Sequence, residues 1–393
     1  MTHHHPRSDR GPLRRRPAGA LLAIAALAAL AGCSSDDDEP VATDATAAPA
    51  TAAPPGTGTS ELAISEERCA ANRAAGTITY ISSFDFAATS AIVDVVVAER
   101  EGYFDDLCLD VELRAGFSTT NYPLIASNTA QFSSAGSYTE ILNYSVDGAE
   151  FVALVNYGKT PVEGLVVKEP AITDVAQLEG ATIGVKGDIP PSIVAMLSAA
   201  GLERGEDYEE VLVEGFDPLA HLALDIDALP VYKSNEPGQL DAAGVEYGLF
   251  DPAELGIPGS FGIIYTSAEY AASNPTVVRD FVRAALKGME TALADPDRAV
   301  DTALAQIDVA GNGSSLTRAG ESYRWTRESQ QVLDGNPGGK VGAIDPAVFE
   351  AEVDAYTEAG VFEQPPSMEG TFDPELAASL YAEDGTVIWP GEG

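Results

Sequence analysis

Positive charge is scarce in this chain of 393 residues, in which 22 lysines and arginines stand against 61 aspartates and glutamates. The formal net charge of −39 excludes nucleic acid as a partner, because a protein that binds phosphate backbones needs a basic surface. It also argues against broad electrostatic capture of anionic ligands, although a local cationic spot is compatible with it. Solubility in a salty habitat is the simpler explanation of the acidity.

Histidine and cysteine are also rare, with 4 histidines and 3 cysteines. All the histidines except His221 lie at residues 3–5, so a zinc site or a His-based catalytic triad is not expected, and His221 is assigned to surface or packing. The glycine-rich dinucleotide motif, the P-loop and the GxSxG nucleophile motif are absent as well. We therefore expect a protein with no metal, no cofactor and no enzymatic activity.

Long hydrophobic runs are missing, and the apolar stretch at residues 18–30 is shorter than the roughly 20 residues that span a bilayer. It follows five arginines and precedes Leu30-Ala31-Gly32-Cys33. This order is similar to a bacterial lipoprotein signal peptide, and an ordinary secretory leader is the alternative. The resemblance implies a signal peptide at residues 1–32, lipidation of Cys33, and a lipid-anchored protein on the extracytoplasmic face of a bacterial cell membrane.

The segment after Cys33 predicts a tether. Residues 34–60 contain four consecutive acidic residues and then a tract of Ala, Thr and Pro with few large apolar side chains. Such a segment cannot bury enough apolar surface to fold. We expect residues 33–60 to be disordered and to reach at most roughly 90 Å when fully extended.

The two remaining cysteines, Cys69 and Cys108, form an even pair in an exported and oxidising setting. We predict a disulfide between them. It would close a loop of about 40 residues and stabilise the fold by roughly 4 kcal/mol. Two buried free thiols are the alternative.

From Thr77 onwards, strand-like and helix-like segments alternate along the chain. The spacing predicts strands at residues 78–82, 109–113, 151–157, 163–168, 181–186, 228–232 and 245–250, and helices at 89–101, 174–178 and 193–200. After Phe261 it predicts longer helices at residues 275–293, 297–307, 320–333 and 345–359. This alternation is typical of an α/β fold with open, mostly parallel sheets, which bind ligands at the carboxyl ends of their strands.

Four segments of the chain carry a family resemblance. They are residues 98–113 with a Gly-Tyr-Phe turn, residues 124–137, residues 178–186, and Val-Tyr-Lys-Ser-Asn-Glu-Pro at 231–237 followed by Phe-Asp-Pro at 250–252. In this order they resemble the NMT1/THI5-like, thiamine-precursor-binding branch of the periplasmic-type solute-binding proteins. The resemblance covers about residues 77–390, and only its fourth segment points to the pyrimidine-binding branch.

The resemblance implies a type II periplasmic binding protein fold, with open mixed sheets in two lobes, helices on both faces and a cleft between the lobes. Lobe one would contain residues 61–168 and 261–393, and lobe two residues 169–260. The implied function is that of a monomeric receptor that captures a small flat heterocycle, similar to a thiamine pyrimidine precursor, by hinge closure. Its partners would be an ABC permease with its ATPase and, through the lipid anchor, the membrane.

Other functions are also compatible with the sequence. A receptor of this kind could bind riboflavin, a sulfonate or another small solute, or it could act as a sensor-type binding module. The pyrimidine synthases that share the fold are enzymes with a Cys-rich motif. The sequence has no such motif, so the enzymatic alternative is disfavoured.

Candidate ligand contacts in lobe one lie where predicted strands end. Aromatic faces there suit a flat heterocycle, while hydroxyl and backbone N–H groups at a helix N-terminus suit its polar edge. The candidates are Phe84, Asp85, Phe86 and Tyr157, together with Ser134, Gly136, Ser137 and Tyr138. Core packing of one phenylalanine and a plain helix N-cap are the alternatives.

Candidate contacts in lobe two are Asp188 and Ser192 after one strand and Tyr232, Asn235 and Glu236 after another. The resemblance implies that the Asn-Glu-Pro segment lines the cleft. The Glu236 carboxylate would accept N–H bonds from an aminopyrimidine edge while Tyr232 stacks on the ring. A helix-capping role for Glu236 is the alternative.

One tail helix, predicted at residues 320–333, contains a tryptophan between two arginines. In the resembling family a tail helix packs back on lobe one. We therefore assign Trp325 to the core and leave open whether Arg324 or Arg327 lies near the cleft.

Overall fold

The computed structural model describes residues 63–145, 150–311 and 316–391. The predicted signal peptide at residues 1–32, Cys33 with its predicted lipidation, and the whole predicted tether at residues 33–60 lie outside these residues. The strands are β1 (Thr77–Ile81), β2 (Asp110–Arg114), β3 (Phe132–Ala135), β4 (Phe151–Gly158), β5 (Glu163–Val167), β6 (Thr182–Val185), β7 (Glu209–Leu212), β8 (Ala228–Tyr232), β9 (Gly248–Phe250) and β10 (Phe261–Ser267).

The helices follow the same alternation along the chain. They are α1 (Glu66–Ala74), α2 (Val93–Arg100), α3 (Tyr103–Asp106), α4 (Ser118–Ala126), α5 (Tyr138–Ser145), α6 (Pro191–Ala199), α7 (Pro218–Leu222), α8 (Glu236–Ala243), α9 (Ala268–Ser273), α10 (Pro275–Ala294), α11 (Pro296–Ala310), α12 (Arg318–Gly335) and α13 (Pro346–Glu358). None of the helices in the described part of the chain is long and apolar enough to cross a membrane.

The strands form two mixed sheets of five strands each. The first has the order β2-β1-β3-β10-β4, in which β1 runs parallel to β2 and β3 while β10 runs antiparallel to β3 and β4. The second has the order β7-β6-β8-β5-β9, in which β6 runs parallel to β7 and β8 while β5 runs antiparallel to β8 and β9. Two sheets with interspersed helices are the predicted two-lobed α/β architecture.

The chain passes from one sheet to the other twice, at residues 159–162 and at residues 251–260. The predicted first boundary falls after residue 168, but β5 pairs with β8 and β9 in the second sheet. That boundary is therefore wrong by several residues, because the partners of a strand are not encoded in its own local pattern. Below, lobe one denotes residues 63–158 and 261–391, and lobe two denotes residues 163–250.

The core of lobe one packs the tail helices against the first sheet. Phe132 on β3 stacks on Phe281 of α10 with ring centroids 3.8 Å apart. Trp325 on α12 is fully buried and donates a hydrogen bond from Nε1 to the Ala292 carbonyl at 3.3 Å. The prediction that Trp325 belongs to the core is confirmed.

Helix α1 is linked to distant parts of lobe one. Cys69 on α1 forms a disulfide with Cys108 just before β2, with Cα atoms 5.2 Å apart, which confirms the predicted pairing. The neighbouring Arg68 donates from Nε to Asp280 Oδ2 of α10 at 2.8 Å and from Nη1 to the Gly391 carbonyl at 2.6 Å. The end of the described chain is therefore held beside its first helix.

The long tail helices begin at residues suited to a helix N-terminus. Helices α10, α11 and α13 each have proline at their first position, where the missing N–H costs nothing. The side chains of Asp295 and Asp345 cap α11 and α13 by accepting bonds from the backbone N–H groups of Arg298 and Ala347. These local signals explain why the sequence predicts the tail helices to within a few residues.

Candidate functional site

A cavity of about 590 Å³ lies between the two lobes. Lobe one lines it with residues that follow β1 and β3 and with residues of α4 and α12, and lobe two lines it with residues of β5 and residues at the ends of β6 and β8. The volume falls within the range of about 300 to 1,000 Å³ that is typical of small-molecule pockets. As the sequence predicts, carboxyl ends of parallel strands contribute to this site.

Aromatic side chains from both lobes stand on the cavity wall. Phe84 and Phe117 of lobe one meet edge to face, with ring centroids 5.8 Å apart. Phe216 of lobe two approaches Phe84 with a centroid distance of 6.4 Å although 67% of its surface is exposed. Tyr232 at the end of β8 is 46% exposed and also lines the cavity. Flat apolar faces are therefore available to a ring placed between the lobes.

The ionisable side chains of the wall are mostly acidic. The carboxylates are Glu140, Glu163, Asp188, Glu236 and Glu328, and the cations are Lys186 and Arg324. Both cations already have acidic neighbours, since Lys186 Nζ lies 2.5 Å from Glu236 Oε1 and Arg324 Nε lies 3.3 Å from Glu321 Oε2. The wall therefore favours neutral or cationic ligands over anions.

Two of these carboxylates are well supplied with donors from the protein. Glu236 accepts from Lys186 on Oε1 and from the backbone N–H of Tyr232 on Oε2, the latter at 2.9 Å. Glu328 accepts on Oε2 from the Thr89 hydroxyl at 2.5 Å and from the backbone N–H of Ser90 at 3.0 Å. These bonds consume acceptor capacity that a ligand would otherwise use.

Two hydrogen bonds between α12 and lobe two join the lobes at the cavity. The Ser234 hydroxyl of lobe two donates to Glu328 Oε1 at 2.9 Å. Arg324 Nη2 donates to Asn235 Oδ1 of lobe two, also at 2.9 Å. The guanidinium of Arg324 lies 6.0 Å from the ring centroid of Phe84, so this arginine contacts both walls.

Glu140 and Glu163 approach the cavity from opposite lobes. The Ser192 hydroxyl on α6 donates to Glu163 Oε2 at 3.0 Å, and the backbone N–H of Gly136 donates to Glu140 Oε2 at 2.8 Å. Burial raises the pKa of both carboxyl groups, and the charge of Glu140 adds to the increase in the pKa of Glu163. Burial is the main cause of the raised pKa of Glu163, and an ionised Glu140 adds a smaller effect in the same direction.

The structure places about half of the sequence-predicted residues directly on the wall. These are Phe84, Gly136, Asp188, Tyr232, Asn235 and Glu236. Three serines stand behind wall residues and hydrogen-bond to them, since Ser134 Oγ accepts from the backbone N–H of Ser83, Ser137 Oγ accepts from the backbone N–H of Glu140, and Ser192 donates to Glu163. Ligand contact by any of these residues stays a prediction.

Three predicted contacts lie in the core instead, and their assignment to the wall is corrected. Phe86 is buried in an apolar cluster with neighbours on α2. Tyr138 stacks on Phe349 with centroids 3.9 Å apart, and the Tyr157 hydroxyl donates to Asp94 Oδ2 at 2.6 Å. Tyr157 lies in the core because its buried hydroxyl has a hydrogen-bond partner there. That partner, Asp94, is 63 positions away in the sequence, so the local pattern around Tyr157 does not indicate it.

One further predicted contact, Asp85, lies away from the wall, and so does His221, which was predicted to lie at the surface or in packing. Asp85 follows Phe84 in a left-handed backbone conformation with φ of 43° and does not contribute to the cavity surface. His221 on α7 is buried, and its Nε2 lies 2.9 Å from the Glu214 carbonyl, which confirms its packing role.

Sequence reasoning missed several wall residues. They are Phe117, Phe216, Glu140, Glu163, Lys186 and Glu328, and Arg324 was left open. No motif connects them, because they come from elements far apart in the sequence that the two crossings bring together. Two of them could have been found from their positions, since Lys186 lies at the end of a predicted strand and Glu163 at the start of another.

Comparison with known proteins places this site in a family context. The profile of the NMT1/THI5-like family matches residues 89–299. A formylaminopyrimidine-binding protein of Halalkalibacterium halodurans is 27% identical over 292 residues, which are 70% of this chain and 84% of that protein. A riboflavin-binding protein of Chloroflexus aurantiacus is 34% identical over 166 residues, which are 41% of this chain and only about half, 47%, of that protein.

Solved structures share the fold at low sequence identity. The alkanesulfonate-binding protein SsuA from Xanthomonas axonopodis, bound to MOPS, has a TM-score of 0.56 and 15% identity over 76% of this chain and 98% of its own. The desulfurization enzyme DszB has a TM-score of 0.52 and 17% identity over 77% of this chain and 98% of its own. These likenesses confirm the periplasmic binding protein fold. They do not define the function, because binding proteins and an enzyme both use it.

Proposed function

Because the chain belongs to the NMT1/THI5-like family, we propose that it is the extracytoplasmic solute-binding component of an ABC importer. It captures a small flat heterocycle between its lobes and delivers it to a membrane permease that is driven by an ATPase. The observation that carries this proposal is the cavity whose aromatic walls, Phe84 and Phe216, come from opposite lobes. Catalysis is not required for this role.

The lobes close around the ligand by hinge motion at the two crossings. A ligand that touches both walls binds the closed arrangement better than the open one, and this difference in affinity drives closure. The bonds from Ser234 to Glu328 and from Arg324 to Asn235 would break when the lobes part. A micromolar affinity corresponds to about 8 kcal/mol, which a stacked ring with a few hydrogen bonds supplies.

An aminopyrimidine is the ligand class that we favour. The relative from Halalkalibacterium halodurans, which aligns over 84% of its length, is a formylaminopyrimidine-binding protein. The acidic wall of this chain suits a heterocycle with N–H donors. The same wall disfavours sulfonates, since both of its cations already have acidic neighbours. A shared fold with an alkanesulfonate-binding protein therefore does not extend to a shared ligand.

Riboflavin is the second candidate. The relative at 34% identity is a riboflavin-binding protein, although the match spans about half of its length. A flat ring system with an N–H group at its edge also fits aromatic walls accompanied by carboxylates. One set of titrations separates the two candidates.

Isothermal titration calorimetry of the purified protein with an aminopyrimidine, thiamine, riboflavin and ethanesulfonate tests this proposal. We expect micromolar or tighter binding of the aminopyrimidine or of riboflavin and none of the sulfonate. Phe84→Ala and Phe216→Ala should weaken binding by about tenfold each, because each removes a stacking face. Leu212→Ala is the matched control, since Leu212 is exposed on lobe two outside the cavity. Failure of both heterocycle classes to bind would contradict the proposal.

We further propose that a lipid on Cys33 holds the receptor at the outer face of the bacterial membrane and that residues 33–60 form its tether. The order of basic residues, apolar stretch and Leu-Ala-Gly-Cys supports this. Cys33→Ser should move the protein from the membrane fraction to the soluble fraction and impair uptake while leaving ligand affinity unchanged. A variant that stays in the membrane fraction would contradict lipid anchoring.

A further inference from the structure

The carboxylates of the cavity wall differ in how much hydrogen-bonding capacity the protein already uses. Glu236 faces a lysine at 2.5 Å and a backbone N–H at 2.9 Å. Glu328 accepts from side chains or backbone groups of Thr89, Ser90 and Ser234. Both are therefore engaged in holding the wall together.

Glu163 of lobe two is half-buried. It differs from Glu236 in having no ion pair with a lysine or arginine among the described residues, and from Glu328 in accepting fewer hydrogen bonds. Among the described residues, its donors are its own backbone N–H and the Ser192 hydroxyl, which donates to Oε2 at 3.0 Å. Ser192 is itself buried in the first turn of α6, so it fixes the orientation of the carboxylate. The remaining acceptor capacity of Glu163 is available at the cavity surface.

The charges around Glu163 do not neutralise it. The nearby cation Lys233 lowers the pKa of Glu163, but it forms no ion pair with this carboxylate, and its Nζ lies 2.6 Å from Asp251 Oδ1 instead. The other neighbour is the Glu140 carboxyl group of the opposite lobe. Closure of the lobes thus sets two acidic groups across the cavity, and a donor or a positive charge placed between them would relieve their repulsion.

We propose that Glu163, rather than the motif residue Glu236, determines ligand specificity by accepting a hydrogen bond from an N–H group at the edge of the bound heterocycle. Glu140 contributes from the opposite lobe by favouring a donor or cationic edge and by rejecting an anionic one. This inference rests on the proposed function as a receptor for a flat heterocycle. The ligand class it defines comprises rings that carry an amine or ring N–H beside their stacking face.

The burial of these carboxyl groups supports the assignment. Desolvation raises the pKa of Glu163 and of Glu140, so each gains from a partner that satisfies it. An ionised carboxylate accepts N–H bonds, and a protonated carboxyl group pairs with an aminopyrimidine edge through one donated and one accepted bond. Either protonation state recognises the same class of ligand.

Matched ligand pairs test the proposal by calorimetry. One pair is 4-amino-5-hydroxymethyl-2-methylpyrimidine and its analogue without the amino group, and the other is riboflavin and N3-methylriboflavin. In each pair the second member lacks an N–H donor group, the amino group in the pyrimidine pair and the N3–H in the flavin pair. For the scaffold that binds, we expect the wild-type protein to prefer the donor-bearing member by about tenfold or more, as is typical of hydrogen bonds to charged groups.

The preference should depend on Glu163. In Glu163→Ala we expect the ratio of the two affinities to fall below about threefold, and in Glu163→Gln to take an intermediate value, because an amide is a weaker acceptor. Glu179→Gln removes an exposed charge of the same lobe outside the cavity and should leave the ratio unchanged. A cooperative thermal unfolding transition shows that each variant is folded. If Glu163→Ala does not fold, the isosteric Glu163→Gln variant provides the test.

The outcomes separate this inference from the proposed function. An unchanged ratio in Glu163→Ala, with wild-type binding intact, overturns the inference alone. A ratio that collapses in Glu236→Gln but persists in Glu163→Ala assigns selection to the motif residue and also overturns it. Failure of the wild-type protein to bind either scaffold overturns the proposed function and the inference together.

Discussion

Lobe one and lobe two are stabilised in different ways. Lobe one is assembled from two stretches of chain that are far apart in the sequence, and the Cys69–Cys108 disulfide and the buried pair of Arg68 and Asp280 fasten α1 to its neighbours. Lobe two is one continuous stretch between the crossings, and several of its large apolar side chains, including Leu212 and Phe216, are exposed. Lobe one is the braced frame, and lobe two is a smaller body that closes against it.

The difference extends to the polar groups of the cavity. On the lobe-one side, Glu328 already accepts several hydrogen bonds from the protein, so it has little acceptor capacity left for a ligand. On the lobe-two side, Glu163 retains acceptor capacity. The disulfide and the Arg68–Asp280 pair of lobe one lie away from the cavity, so we expect that each can be perturbed with little effect on ligand binding.

The largest effect on stability is expected from Asp280→Asn in lobe one. The carboxylate of Asp280 accepts from Arg68 and from Asn72 Nδ2, the latter at 2.7 Å, and Arg283 Nε lies 3.7 Å away. Its loss leaves two buried guanidinium groups without their anion, which should lower the free energy of unfolding by about 3 to 5 kcal/mol. Urea unfolding measures this loss, and a change below about 1 kcal/mol would contradict the picture of a braced frame.

Removal of the disulfide should rank next. The double variant Cys69→Ser/Cys108→Ser opens a loop with a sequence separation of 39 residues. We expect the free energy of unfolding to fall by about 2 to 4 kcal/mol. Ligand affinity should not change, since neither cysteine lies at the cavity. If the double variant lost ligand affinity as well as stability, the disulfide would not be independent of the ligand site, and this prediction would be contradicted.

The pH dependence of stability should reveal the buried Glu352 of α13. Its carboxyl group accepts from Ser260 Oγ in the second crossing at 2.5 Å and from the Thr139 backbone N–H at 2.9 Å. Burial raises the pKa of Glu352 from 4.5 to about 7. Between these two values the folded state binds more protons than the unfolded state, so stability falls as the pH rises through this window.

The slope contributed by Glu352 is at most about 1.4 kcal/mol per pH unit. Asp94, whose pKa burial also raises to about 7, contributes a slope of the same sign. Glu352→Gln should therefore reduce, but not abolish, the loss of stability between pH 4.5 and about 7 in unfolding curves. A variant with the same pH profile as the wild-type protein would contradict the assignment.

The smallest effect is expected at the surface of lobe two. Arg204 pairs with Glu210 through Nε to Oε1 at 2.7 Å, and the arginine side chain is 49% exposed. Glu210→Gln should lower the free energy of unfolding by about 0 to 1 kcal/mol, because solvent screens an exposed pair. This variant is the matched control for Asp280→Asn, and similar losses in both would show that burial does not distinguish the two pairs.

Much of the fold was accessible from the sequence because its signals are local. Alternating patterns identify β1, β2 and β8 to within a residue, and prolines with aspartate caps mark the starts of the tail helices. The two cysteines that follow the predicted signal peptide and Cys33 were enough to predict the disulfide. Strand β10 was missed, since it joins β3 and β4 through antiparallel pairing with residues more than a hundred positions away.

The candidate site was less accessible for the same physical reason. A strand-end tyrosine such as Tyr157 faces the core or the cavity according to the partner of its hydroxyl, here Asp94. The family motif around Asn235 and Glu236 identified one wall. Glu163 and Phe216 belong to no motif, and only the crossings and the packing of the lobes bring them to the site.

A crystal structure of the protein with the heterocycle that binds in calorimetry tests the central claim most directly. We predict that the ring lies in the cavity between the lobes, against Phe84 or Phe216, with one of its N–H groups within about 3.2 Å of the Glu163 carboxylate. A ligand bound outside this cavity would contradict the account.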